Sequence, residues 1–215
     1  MLIDYKILVE KYGFAPKGVI HVGGHRGEEQ VYYDALGVEI TLWFEAIRES
    51  VIEMHEKFKD RNDILIMDRL ISDKIETVEF NITNNLASSS MLDLGTHKSS
   101  HPKIHYTEKR KLKTDTLKHL LFSETLESFF NPNNYDTLNI DVQGAELKVL
   151  KGTGDILNDI KYIYTEVNTG EVYKGCALLP EIDEYLAGYG FERVETKMTP
   201  FDWGDAFYIN QNFAQ

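Results

Sequence analysis

Short apolar runs alternate with amphipathic stretches along this chain, and the two periods predict an alternating order of strands and helices. Apolar runs stand near residues 18–22, 40–44, 64–68, 136–140 and 160–166, lengths that suit buried strands. Between them the spacing turns helical. Residues up to about Phe14 set Leu2, Ile3, Ile7 and Leu8 on one side, and Gly13 and Pro16 then stop the turn. The run from Glu28 to about Leu36 sets Val31, Tyr32 and Ala35 on one side, and further helices are expected over Glu49 to Phe58 and Leu178 to Leu186. Strands separated by helices imply parallel βαβ units, hence an α/β fold. Val78 to Ile82 alternates cleanly and predicts a short half-exposed strand. Phe191 to Glu195 and Ala206 to Ile209 flank a turn around Pro200 to Gly204, which fits a closing hairpin with one strand antiparallel to its neighbour. Residues 84–113 are polar and irregular, with Ser88-Ser89-Ser90 and Pro102. A loop of that length in a compact domain is read as a substrate-facing lid.

The candidate chemistry collects where strands end. Leu138-Asn139-Ile140-Asp141 runs into Val142-Gln143-Gly144-Ala145-Glu146 and then an amphipathic helix closed by Gly152. That layout puts Asp141 at the carboxyl end of a buried strand, where open α/β sheets bind ligands. Gly18-Val19-Ile20-His21-Val22 likewise runs into Gly23-Gly24-His25-Arg26-Gly27, whose glycines let backbone approach a ligand closely. The spacing departs from a dinucleotide loop, since His25 and Arg26 stand where glycine is wanted. Glu28 and Glu29 would also repel a pyrophosphate from the helix start. A ligand without phosphates, such as S-adenosylmethionine, suits the loop better. Glu45 ends the next strand about twenty residues on, where nucleoside-binding folds place an acid on the ribose hydroxyls. Helix capping or plain surface exposure is the competing reading for Glu45.

Composition narrows the partners. The chain has 215 residues, 42% hydrophobic, with a net charge of −12, which fits one globular domain over 1–215 and argues against nucleic acid or anionic membranes. The lone Cys176 forms no internal disulfide, and no Cys/His set has zinc-finger spacing. No run is long enough to span a membrane, and the first residues lack the basic flank and apolar run of a signal peptide. The expected location is cytoplasmic.

The stretch from Ile140 to Glu146 through Val149-Leu150-Lys151-Gly152 resembles the signature of FkbM-type S-adenosylmethionine-dependent methyltransferases. His21 to Gly27 resembles their first motif, and Ile71-Ser72-Asp73, Ser88-Ser89-Ser90, Thr116-Leu117, Thr165-Glu166-Val167 and Gly204 to Ile209 fall in the family's order. The resemblance covers residues from about 18 to 210. Two departures stand out: the family usually has Glu where Gln143 stands, and commonly Asp where His21 stands. The resemblance implies a Rossmann-like, seven-stranded, mostly parallel sheet with helices on both faces and a last antiparallel hairpin. It implies O-methylation of a sugar hydroxyl (free, nucleotide-linked or within a glycan) or of a polyketide-like product. It also implies cofactor contacts at His21, Gly23, Gly24, His25, Gly27, Glu45, Asp68, Arg69, Leu70, Asp141 and Val142, and acceptor contacts at Ser89, Ser90, Gln143, Glu166 and Asn168.

Methyl transfer to an alcohol needs a base within hydrogen-bond reach of the acceptor. Asp141 is the first candidate, with a structural role at the start of the following helix as the competing reading. Asp141, Glu166 and Asn168 offer three oxygens that a Mg²⁺ ion would accept, unless Glu166 only binds the acceptor. His97, His101 and His105 recur every four residues, but Pro102 argues for a loop rather than a helical metal site. Lys109-Arg110-Lys111 and Lys113 are the one basic run, either a solvated face or a seat for an anionic acceptor. Trp43, Tyr106, Phe201 and Trp203 could stack on a sugar, with Trp43 better read as core. A nicotinamide-dependent oxidoreductase on the same sheet and a non-catalytic binding module are the alternatives. The chain could also belong to a larger glycan-building protein.

Overall fold

The computed structural model describes residues 1–123, 126 and 131–213. Among the described residues, ten strands and seven α-helices follow the predicted alternation. The main sheet takes β1 (Gly18–Val22), β2 (Ile40–Glu45), β3 (Ile64–Asp68), β7 (Thr137–Ile140), β8 (Tyr162–Asn168), β9 (Phe191–Met198) and β10 (Trp203–Asn210) in the order β3-β2-β1-β7-β8-β10-β9. Its first five strands run parallel, and β10 lies antiparallel between β8 and β9. Both faces are covered, which is why β1 and β7 are buried at every position, the polar His21 and Asn139 included.

Successive residues of each strand feed opposite cores. Ile20, Val22, Leu42, Phe44, Leu138 and Ile140 pack with Leu117 and Leu120 of α5 (Leu117–Leu121), Val149 and Leu150 of α6 (Glu146–Thr153) and Ile182 and Leu186 of α7 (Leu179–Ala187). Val19, Trp43, Tyr164 and Phe207 pack on the other face with Tyr5 and Leu8 of α1 (Tyr5–Tyr12), Tyr33 of α2 (Gln30–Leu36) and Met54 of α3 (Arg48–Lys57). The indole of Trp43 is fully buried, as a core residue should be. Gly13 ends α1 in the left-handed region at φ 64°, the cap expected of glycine.

Three expectations change. α2 begins at Gln30 and buries Gln30 and Tyr33, while Val31, Tyr32 and Ala35 face outward. Gln30 is held inside because its Oε1 accepts from the Thr41 hydroxyl at 2.9 Å and the Trp43 indole at 3.2 Å, so polar pairing overrides the apolar stripe. On α1, Ile7 points to solvent and Tyr5 takes the buried position. The stretch 84–113 is not loop throughout, because Tyr106–Asp115 forms the ten-residue β6. It pairs with β5 (Thr77–Thr83) and β4 (Leu70–Ile71) in a second sheet of order β4-β6-β5. β6 carries charge on both faces and so shows no apolar alternation. Backbone pairing with β5 holds it, joined by ion pairs of Lys109 with Glu79 on β5 and of Arg110 with Glu49 on α3 at 2.7 Å and Glu108 on β6 itself at 2.7 Å. Residues 84–105 remain the irregular part, with a short 3₁₀ turn at Leu86–Ser88 and one turn of helix α4 at His97–Ser100.

Candidate active site

The order β2-β1-β7-β8 sets four carboxyl ends side by side, and the loop after β1 binds them together. Gly23 and Gly24 both donate to the Phe44 carbonyl at the end of β2, at 2.9 and 3.1 Å. Gly23 has φ 90°, and a Cβ there would lie 1.8 Å from the Asp141 carbonyl oxygen, so only glycine lets the loop touch β7. Glu45 receives the His25 amide on Oε2 at 2.7 Å and the Ile47 amide on Oε1 at 2.6 Å. Its carboxyl is nearly buried, which pushes its pKa up, and these two amides pull it back. Each oxygen keeps a further lone pair for a hydroxyl donor. The 23–27 loop, Glu45 and Asp141 therefore share one edge of the sheet.

Two cavities meet there. The first is a narrow cleft with apolar walls that include Phe44, Ile47, Phe80, Leu86 and Met91. Gly23, His25, Glu45, Arg69, Leu70, Ser89, Asp141, Val142 and Gln143 also line it. The second, about 320 Å³, is lined by Asp141, Gln143, Glu166, Asp205, Tyr173, Trp203, Val172, His97 and His101, among others. Asp141 and Gln143 border both. Ala87 borders both as well, so the irregular segment after β5 walls the two cavities, as its length suggested.

Carboxylates crowd this junction. Burial first, then the charge of Asp205, pushes the Asp141 carboxyl up, while a hydrogen bond from Gln143 pulls it down. Glu166 stands well above the usual range because it is buried and faces Asp141, Glu146 and Asp205. Glu146 is pushed up by burial to about 7. Its Oε1 accepts the amides of Val142 at 3.1 Å and Gly144 at 3.0 Å. Glu146 thus performs the loop-closing role weighed for Asp141, whose own side chain is left facing the cavities.

The raised Glu146 value has a consequence for stability. The folded carboxyl holds a proton that the unfolded chain, near 4.5, gives up, so stability falls as pH rises from about 4.5 to about 7. The size is roughly 3 kcal/mol. Glu146→Gln keeps the acceptor oxygen and removes the titration. Melting curves at pH 5 and pH 8 should show a smaller drop for the variant than for the parent; equal drops would contradict this.

The other expected site residues divide. His21 is buried, stacks on Trp43 at 4.2 Å and bonds Tyr33 through Nδ1 at 2.9 Å. Burial lowers its pKa to about 3, so it is neutral, and it borders a further recess of about 250 Å³ shared with His25, Asn139 and Asp141. Gly24 and Gly27 line neither cavity; a Cβ on them would meet Trp43, Met54 and Phe58. Asp68 faces outward toward Arg48 at 3.3 Å and borders a separate hollow. Ser90 is buried behind the junction, donating to the Gln143 carbonyl at 2.7 Å.

The metal expectation finds no support. Among the described residues no group of three or more His, Cys, Asp or Glu side chains is placed to hold an ion. Asn168 is fully buried and lines neither cavity, although neither of its amide atoms has a protein partner among the described residues. One amide hydrogen-bond donor, Gln143 Nε2, already sits between Asp141 and Glu166. His97 and His101 come together, 4.7 Å between ring centroids, but pack on Tyr173 and Phe201, and His105 turns to the Lys103 carbonyl. None of Lys109, Arg110, Lys111 and Lys113 lines the second cavity. Sequence reasoning missed Tyr173 and the part of Asp205 in the site. An aspartate inside the apolar strand Trp203–Asn210 was the available signal for the latter.

A mostly parallel sheet with this strand order, a final antiparallel hairpin and a crevice at the ends of β1, β2 and β7 matches the Rossmann-like methyltransferase fold. Solved structures agree. A SAM-dependent methyltransferase from Aquifex aeolicus matches with TM-score 0.51 and 13% identity, over 97% of this chain and 90% of that one. Magnesium protoporphyrin IX methyltransferase from Synechocystis PCC 6803, with bound SAM, matches with TM-score 0.50 and 12% identity, over 96% and 75%. M. capricolum TrmK, in complex with S-adenosylhomocysteine, matches with TM-score 0.53 and 9% identity, over 99% and 70%. At such identities the likeness concerns the fold. No curated protein sequence matches the chain. The model of the methyltransferase FkbM domain matches residues 21–193, and the chain belongs to that family. Among the described residues no helix is long and apolar enough to cross a membrane.

Proposed function

We propose that this chain is an S-adenosylmethionine-dependent O-methyltransferase acting on a hydroxyl of a sugar or similar polyol. The observation that carries it is Asp141, a carboxylate standing where two cavities meet, one walled largely by apolar side chains and one lined by Glu166 and Asp205. The cleft's apolar walls suit a purine, Glu45 closes on the ribose hydroxyls, and Gly23 lets the loop close against the end of β7 beside them. When bound, S-adenosylmethionine supplies an activated methyl group on a sulfonium sulfur.

The residues then have three tasks. The second cavity orients the acceptor, with Glu166 and Asp205 as polar partners and Trp203 and Tyr173 as flat walls. Asp141 takes the hydroxyl proton as the oxygen forms its bond to the methyl carbon and the carbon–sulfur bond breaks. The walls keep water from the reacting carbon. Asp141 borders both cavities and Glu166 only the second, which makes Asp141 the acceptor of that proton. Among the described lining residues of the second cavity there is no Lys or Arg. That favours a neutral free or glycan-linked sugar over a nucleotide-linked one.

A screen of methyl transfer over sugars, glycosides and nucleotide sugars, with and without EDTA, tests this. Turnover on a neutral hydroxylated acceptor, unchanged by EDTA, is the expected result. Transfer confined to amines, to nucleic acid or to protein would overturn the acceptor class.

A further inference from the structure

Gln143 joins more of the site than any chemistry assigned to it requires. Its Nε2 lies 2.6 Å from Asp141 Oδ1 and 2.9 Å from Glu166 Oε2. Its Oε1 accepts the Tyr173 hydroxyl at 2.8 Å, and its main-chain carbonyl accepts the Ser90 hydroxyl at 2.7 Å. The residue holds φ 58°, a conformation that non-glycine residues adopt only when their surroundings impose it. The amide's orientation follows from its partners. An amide nitrogen has two hydrogens, one for each carboxylate, whereas the reversed amide would set its oxygen against both. Tyr173 donating to Oε1 selects the same orientation.

We propose that Gln143 is a positioning residue whose amide nitrogen clamps Asp141 and Glu166 in one fixed arrangement at the junction of the two cavities. The clamp ties the end of β7 to the end of β8. Through Ser90 and Tyr173 it also ties both to the segment that walls the site. Two neighbouring carboxylates would otherwise turn apart, and the acceptor would meet Asp141 in several rotamers. The catalytic consequence rests on the methyltransferase reading; the clamp itself does not.

The test uses the intact, ¹⁵N-labelled protein. The side-chain amide pair of Gln143, assigned by its loss in Gln143→Glu, should lie downfield of solvent-exposed glutamines. Glu166→Gln should move one of its two hydrogens, and Tyr173→Phe should move the pair. Ordinary glutamine shifts, or shifts indifferent to Glu166→Gln, would overturn the clamp. With an acceptor in hand, Gln143→Leu and Gln143→Met should each lower kcat by ~10²-fold, with acceptor KM nearly constant. Unchanged kcat in a folded variant would overturn the positioning role, and melting curves identify whichever variant is folded. Failure of the wild-type protein to bind S-adenosylhomocysteine would count against the methyltransferase reading, while the amide signature still decides the clamp.

Discussion

Asp141→Asn should lower kcat by about 10²–10⁴-fold, the usual worth of a positioned general base, while affinity for S-adenosylhomocysteine changes little. Asparagine keeps the shape and one oxygen for the Gln143 amide, so the junction stays assembled and only the proton acceptor is lost. The alternative role for Asp141, holding the start of the following helix, is already taken by the two amide bonds of Glu146. The pH profile gives a second reading. Burial and the neighbouring Asp205 raise the Asp141 pKa, so parent activity should fall on the acid side above the ordinary carboxylate range. Residual activity in the variant should lack that limb. Glu166, Glu146, His97 and His101 also stand around the second cavity or against Asp141, so the comparison with the variant is what assigns the limb. Full activity in Asp141→Asn would end the general-base role.

Gly23→Ala should cost both stability and cofactor binding. The added carbon would stand 1.8 Å from the Asp141 carbonyl oxygen, a main-chain atom that cannot swing aside, and φ 90° is itself strained for alanine. Either the loop or the end of β7 must move, and each carries a wall of the cleft. Tm should fall by roughly 5 °C or more, and S-adenosylhomocysteine affinity should drop with it. Gly24→Ala is the comparison. Its carbon would meet the Trp43 ring at 2.9 Å and the Met54 methyl at 3.3 Å, side chains rather than main chain. Its Tm should fall less. Equal effects at 23 and 24 would mean that the approach to Asp141 is not what the glycine serves.

Much of this molecule was legible in its sequence because the sheet is buried on both faces. β1, β2 and β3 announce themselves as largely apolar runs, and the 23–27 loop, Glu45 and Asp141 sit where β1, β2 and β7 stop. The motifs around Asp141 and the 23–27 loop resemble those of the family to which the chain belongs, and the structure brings both to one edge. What escaped was held by polar pairing. β6 is charged on both faces and is held by backbone pairing with β5 and by Glu79 and Glu49, which lie far away in sequence. The buried face of α2 is set by Gln30 reaching Thr41 and Trp43, a contact no periodicity encodes. The glycines at 24 and 27 belong to packing rather than to the cavity, a difference that composition cannot show. The clamp at Gln143 depends on residues from four segments meeting at one point.

The central claim is that the edge from Glu45 to Asp141 holds a sulfonium nucleoside, and titration calorimetry of the purified protein tests it most directly. S-adenosylhomocysteine should bind one per chain, and Glu45→Gln should weaken that binding by about tenfold or more, since a carboxylate accepting hydroxyl donors gives way to an amide. NAD should show no comparable heat. Binding of NAD alone, or S-adenosylhomocysteine affinity indifferent to Glu45, would contradict the account.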